Sequence, residues 1–121
     1  MSETTSEIDF DTFCKIDLRV GRVVTADRVP KSDKLIRMDV DFGDFKRQIL
    51  GGIGKHWAPE GDEPRSLVGK TFLFVVNLPP RKMMGLESHG MILATSHEEG
   101  GTSFLTLLQP TSPVPAGGKF G

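Results

Sequence analysis

Cys14 is the only cysteine among the 121 residues. No internal disulfide can form and no cysteine-based zinc site can assemble, so a reducing, cytoplasmic setting is expected. Cys14 itself reads as a small, mainly apolar residue on a short N-terminal segment rather than as a reactive thiol. Long apolar runs are missing as well: none approaches the roughly 20 residues of a membrane helix, and no membrane partner is expected. Residues 1–9 are polar and acidic, without the order of a secretory signal or the arginines of a transit peptide, so neither is expected. Charge of one sign is not in excess either. Fifteen Lys and Arg stand against sixteen Asp and Glu, a formal net charge of −1. Global charge therefore does not advertise nucleic-acid binding; if RNA is the ligand, the cations must be gathered on one face. What remains, 37% hydrophobic and 26% charged residues, is the composition of a single globular domain, expected over residues 9–121 behind a flexible tail at 1–8.

The apolar pattern is that of strands. Residues 9–15 can form a turn or two of helix, capped by Asp9 or Asp11, with Phe10 and Phe13 facing inward. From Ile16 the even positions Leu18, Val20, Val24 and Ala26 are apolar while Asp17, Arg19, Thr25 and Asp27 are polar, with Arg22 the one break; this alternation predicts a half-buried strand. Gly21 in its middle predicts a sharp bend of the kind that turns a barrel corner. Residues 35–42 alternate again, Gly43-Asp44 makes a turn, and 45–50 return as a hairpin. Residues 51–70, rich in Gly, read as a loop with one short helical turn, anchored by Trp57 and Leu67. The run at 71–78 is apolar throughout, as suits a strand covered on both sides. Residues 79–90 read as a loop, 91–95 and 103–108 as strands around a turn at 98–101, and 109–121 as a Pro- and Gly-rich tail. The expected fold is all-β: a five-stranded OB-fold barrel with a short N-terminal helical segment and a C-terminal extension.

In such a barrel ligands lie across strands 2 and 3, between the loop joining strands 1 and 2 and the loop joining strands 4 and 5. The first of these loops holds Arg28, Lys31 and Lys34, with Arg37 just beyond. The second holds Arg81 and Lys82, and strand 3 begins with Lys46 and Arg47. Cations distant in sequence are thus expected around one groove, with most acidic residues elsewhere. The second loop also carries Met83 and Met84 beside its cations. Thioethers adapt to irregular surfaces and can lie against bases while Arg and Lys meet phosphates; plugging the barrel end is the alternative role for this Met pair.

Catalytic patterns fail on inspection. Ser88 and His89 are neighbours in sequence, which does not build a nucleophile–base pair. His56, His89 and His97 are dispersed, so no metal site is expected from them. Asp39 and Asp41 alternate with apolar residues and so coat a strand. The stretch from Gly51 to Lys55 lacks phosphate-loop spacing and is followed by His56 where Ser or Thr belongs. No catalytic residue, metal or cofactor is expected.

Four segments carry a resemblance. Phe13-Cys14-Lys15-Ile16-Asp17-Leu18-Arg19-Val20-Gly21 resembles the F-x-K-x-D-L-R-V-G opening of the EMAP-II-like tRNA-binding domain family. Pro30-Lys31-Ser32-Asp33-Lys34-Leu35 is similar to its P-x-A-D-K-L signature, and Gly51-Gly52-Ile53 with Trp57-Ala58-Pro59-Glu60 to its S-G-I…Y-x-P-E stretch. The block from Asn77 to Met91 resembles N-L-x-P-x-K-M-x-G-x-x-S-x-G-M. Together they cover about residues 10–120, in order and at compatible spacing. Trp57 stands for the usual Tyr, Gly51 for a small Ser or Ala, and residues 61–65 look inserted. The resemblance implies an OB-fold that binds tRNA by shape at the outer corner of the L. Asn77, Lys82, Met83, Ser88 and Met91 would line the site and Lys31 and Lys34 guard its edge, with Arg37, Arg81 and Met84 added by their loops. It further implies a homodimer built by the N-terminal segment and the tail, and an aminoacyl-tRNA synthetase as a partner. The tail from Leu107 to Gly117 and Pro79-Pro80-Arg81 are also similar to the secretion-chaperone, CsaA-like branch, whose ligand would be an unfolded polypeptide or preprotein segment.

Overall fold

A computed structural model of the chain describes residues 6–61 and 63–120; the tail expected at 1–8 falls mostly outside them. Asp9 caps the helix α1 (Phe10–Phe13) by accepting a hydrogen bond from Thr12 N at 2.8 Å, which satisfies one of the amides a helix start leaves free. The phenylalanines do not face inward as expected: Phe10 is 71% and Phe13 43% exposed, because α1 buries none of its residues.

Strand β1 (Leu18–Arg28) organises the barrel. Its first half pairs with β4 (Thr71–Val75) and its second with β2 (Ile36–Asp41), and Arg22 is in register with both Thr71 and Asp41. Strand β2 pairs with β3 (Lys46–Gly51), and β4 with β7 (Met91–Ile92), giving the order β3-β2-β1-β4-β7. At the two ends of this order Gly51 and Ile92 come into van der Waals range, so the five antiparallel strands nearly close into an OB-like barrel.

The phase of β1 differs from the expected alternation. Val23, an odd position, is fully buried, and Gly21 points at the core: a Cβ there would sit 2.6 Å from both Phe42 Cε1 and Val40 Cγ1. A bulge between Val23 and Thr25 then resets the phase, so that Ala26 packs on the core; one extra residue in a strand does this because side chains alternate with period two. Arg22 is therefore not a break but the outward neighbour of two inward positions. Val20 is buried from outside, under the C-terminal tail, which pairs with β1 through Val20 N to Gly118 O at 2.9 Å and Gly117 N to Val20 O at 2.7 Å. Within the barrel Phe42, Phe72 and Phe74 pack with Ile36, Met38 and Ile49, and Trp57 meets Phe72 edge-on at 5.8 Å. The loop at 51–70 makes the expected single turn, with Trp57 N bonded to Ile53 O.

The segment read as a loop at 79–90 contains a hairpin, β5 (Arg81–Met83) and β6 (Leu86–Ser88), joined by Met84-Gly85. The strand expected at 91–95 divides at Leu93 into β7 and β8 (Ala94–Glu99). Strand β8 pairs with β9 (Thr102–Leu107) as a separate arm. All of β8 is exposed, so it supplies no barrel strand.

Candidate nucleic-acid interface

The hairpin β5–β6 lies over the outer face of the barrel beside β3. Met83 and Leu86 pack on a small apolar cluster of Val29, Leu35 and Leu50, which belong to the β1–β2 connection and the end of β3. Polar clamps hold the hairpin there. Gln48 Nε2 donates to Glu87 O at 2.9 Å and His89 N to Gln48 O at 2.8 Å. Ser88 Oγ accepts from Leu50 N at 2.9 Å and donates to Gly90 O at 3.0 Å. Ser88 is only 1% exposed, so its hydroxyl is committed to the protein. Buried groups satisfied from both sides fix geometry well.

Between hairpin and barrel runs a groove of about 310 Å³ lined by Lys34, Gly52, Arg81, Met83, Met91 and Ala94. A recess of about 80 Å³ continues it past Arg81, Met83 and Met91 to Leu78 and Pro79. Its floor is apolar, and Leu78 and Met91 are 43% and 46% exposed. Lys31 and Lys34 on the β1–β2 connection and Arg81 and Lys82 on β5 are all exposed, and Lys34 and Arg81 are in its lining. None of the four makes a salt bridge among the described residues.

Three of the other cations proposed from sequence, Arg28, Arg37 and Arg47, are occupied. Arg37 donates to both carboxylate oxygens of Asp27, to Asp39 at 2.9 Å and to Gln48; its hydrogen bonds to Asp39 and then to Asp27 hold its guanidinium further toward the charged form. Arg28 donates to Gly54 O at 2.8 Å and fastens the loop after β3. Arg47 reaches inward to Val76 O at 3.0 Å and His89 O at 3.3 Å, over the Phe45 ring. Lys46 is in register with Asp41, on the far end of β3 from Leu50. The groove thus gathers cations of the β1–β2 connection and of the hairpin, not the cations of β2 and β3 expected with them. Asn77 is likewise engaged: its Oδ1 accepts from Asp17 N at 2.8 Å and its Nδ2 donates to Lys15 O at 2.6 Å, which bolts the N-terminal segment to the end of β4. Gln48 and Ala94 were not marked by the sequence. Gln48 could have been found as an outward position of β3, alternating with Lys46; Ala94 carries no signal of its own. Among the described residues no group of three or more His, Cys, Asp or Glu side chains could hold a metal ion, and no helix is long and apolar enough to cross a membrane.

A second depression, of about 460 Å³, is lined by Phe13, Cys14, Ile16, Leu18 and Phe120. It offers almost no polar partner and no cation, so it suits an apolar surface and not a phosphate.

Residues 18–119 match the family described as "Putative tRNA binding domain". The chain belongs to this family. Among curated relatives it is 45% identical over 113 residues to the methionine–tRNA ligase of Porphyromonas gingivalis and 43% over 119 residues to that of Thermotoga maritima. These matches take in 93% and 98% of the chain but 15% and 18% of the ligases, so the chain corresponds to a small part of those proteins. Among solved structures it is similar to a MetRS related protein from Pyrococcus horikoshii, with a TM-score of 0.81 and 36% identity over 96% of this chain and 99% of that one. It is also similar to the chaperone CsaA of Bacillus anthracis, with a TM-score of 0.77 and 32% identity over 96% and 100%. The tRNA-binding-domain resemblance seen in the sequence therefore stands, together with its likeness to the chaperone branch.

Proposed function

We propose that this chain is a cytoplasmic, non-catalytic module that binds tRNA by its folded shape. The observation that carries the reading is a methionine-floored groove with Lys34 and Arg81 in its lining and Lys31 and Lys82 exposed on the same two segments, none of the four in a salt bridge among the described residues. Those cations neutralise phosphates, while Met83 and Met91 meet the less polar sugar and base surfaces. Arg37, Asn77 and Ser88 act at one remove, by holding the sheet face, the N-terminal segment and the hairpin. Family membership and the likeness to the tRNA ligases support tRNA as the RNA, and an aminoacyl-tRNA synthetase is the natural protein partner. The chain works as a homodimer closed over the apolar depression, where Phe10, Phe13, Ile16 and Phe120 otherwise stand in water.

The test is a mobility-shift titration of bulk tRNA at two salt concentrations, against an unstructured RNA of equal length. Binding should favour tRNA and weaken as salt rises, because each neutralised phosphate releases counterions. Lys82→Ala should lower both affinity and salt dependence, and Met83→Ala affinity alone. Equal binding to both RNAs would reject the reading. The likeness to CsaA and the exposed Leu78, Met84 and Met91 favour one second reading, capture of unfolded polypeptide. That reading predicts suppression of client aggregation with little salt dependence.

A further inference from the structure

Two residues of this surface adopt a backbone conformation that suits neither. Among the described residues Lys31, at φ +69°, and Met84, at φ +52°, are the only non-glycines in the left-handed region. That region crowds the Cβ of ordinary L residues and is populated mainly by Gly, Asn and Asp. Each occupies a turn that asks for such a residue. Ser32 N bonds to Val29 O at 3.2 Å across Pro30 and Lys31, the arrangement of a type II turn, where Gly or Asn fits third. Met84-Gly85 joins Met83 to its register partner Leu86 with both φ positive, the arrangement of a type I′ hairpin, where Asn-Gly is favoured. The chain's other two-residue hairpin follows the rule, with Gly100 and Gly101 at φ +56° and +82°.

Packing does not compensate. Lys31 is exposed and Met84 is 55% exposed. Yet the two turns rest on one apolar cluster, Val29 and Leu35 beside the first, Met83 and Leu86 beside the second, and Leu35, Leu50 and Met83 of that cluster also line the groove. Strain confined to these two turns and unrelieved by burial marks residues kept for what they touch.

We propose that Met84 gives the groove its selectivity for folded RNA, its thioether lying on the face of an unstacked nucleobase, while the Lys31 ammonium anchors the polymer through a backbone phosphate. This rests on the RNA-binding reading above. A corner of folded RNA exposes base faces that a continuous duplex hides, and the cations beside Met84, Arg81 and Lys82, bring the polymer to it.

The experiment compares wild type with Met84→Asn, Met84→Leu and Lys31→Asn, each by thermal melting and by titration with bulk tRNA and with a blunt RNA duplex. Met84→Asn should raise the melting temperature by about 2–5 °C, yet bind tRNA about fivefold more weakly with an unchanged salt slope and little change on the duplex. Met84→Leu should stay within about twofold of wild type on both RNAs, since it keeps the apolar contact. Lys31→Asn should also melt higher but lose affinity for both RNAs, with a salt slope shallower by about 0.7–0.9. If Met84→Asn melts lower, or binds tRNA as wild type does, the proposal is overturned while tRNA binding stands. Equal losses for Asn and Leu at residue 84 would overturn it too. Failure of wild type to bind tRNA would instead remove the reading on which it rests.

Discussion

Ser88 offers the sharpest test of how the hairpin is held. Its hydroxyl is 1% exposed and joins Leu50 N, at the end of β3, to Gly90 O, just beyond β6. Replacing it by alanine removes both bonds and admits no water, since the site is enclosed. An unsatisfied buried donor costs about 1–3 kcal/mol, far more than the net value of an ordinary hydrogen bond. We therefore expect Ser88→Ala to destabilise the fold by about 2 kcal/mol. Unfolding entropy near the midpoint is about 2.1 cal/mol/K per residue, or about 0.25 kcal/mol/K for a chain of this length, so the midpoint should fall by about 8 °C. Circular-dichroism melting measures this directly. Binding to tRNA well below the midpoint supplies the second readout. The loosened hairpin should weaken affinity while the salt slope stays at the wild-type value, because no phosphate contact is removed. A midpoint within 1–2 °C of wild type, by the same conversion, would refute the clamp. A reduced salt slope would show that the loosened hairpin has also lost a phosphate contact of Arg81 or Lys82.

Gly21→Ala should cost about 2 kcal/mol by overpacking, because its Cβ would meet Phe42 and Val40 at 2.6 Å; a denaturant midpoint shift with unchanged slope checks it. Asp39 is held below its ordinary value of 3.8 by the hydrogen bond from Thr25 and then by those from Arg37. A carboxyl with a depressed folded pKa contributes stability that is complete above the unfolded value and is lost as pH falls through the folded one. The melting temperature should therefore drop as pH falls below about 4, and less steeply in Asp39→Asn; parallel profiles would contradict the assignment. Under the proposed homodimer, wild type should sediment as a dimer at micromolar concentration and Phe13→Asp as a monomer, without loss of affinity per tRNA site; an unchanged mass would exclude the apolar depression as the interface.

The barrel was legible because alternation and turn residues act locally. Residues 35–50 and 71–75 pair much as their pattern predicts, and one cation from each of the two loops, Lys34 and Arg81, lines one groove. The errors share a cause, which is that sequence pattern does not see tertiary cover. Val20 looked like a core position and is buried, but by the tail. Arg22 looked like a break because the bulge after Val23 is invisible in a period-two reading. The hairpin at 81–88 escaped notice because its turn is Met84-Gly85 and not the Asn-Gly that signals a type I′ turn. Phe10 and Phe13 are apolar residues on a short helix that finds no cover among the described residues.

The most informative correction concerns charge. A net charge of −1 argues against RNA binding only if positive and negative groups are mixed over the surface, and here they are sorted by pairing. On the sheet face Arg37 is matched by Asp27 and Asp39, and Arg22 by Asp41; beneath it Arg47 is turned inward to carbonyls. Each of these cations is neutralised or given a structural task within a few ångströms, so its field dies within a Debye length of about 8–10 Å. Lys31, Lys34, Arg81 and Lys82, on the β1–β2 connection and on β5, have no salt bridge among the described residues. The acidic residues therefore do not merely offset the basic ones in the total. By pairing with Arg37 and Arg22 they quieten the sheet face beside the groove, so that a polyanion meets its exposed cations at the groove itself and the orientation of the bound RNA becomes a property of the fold.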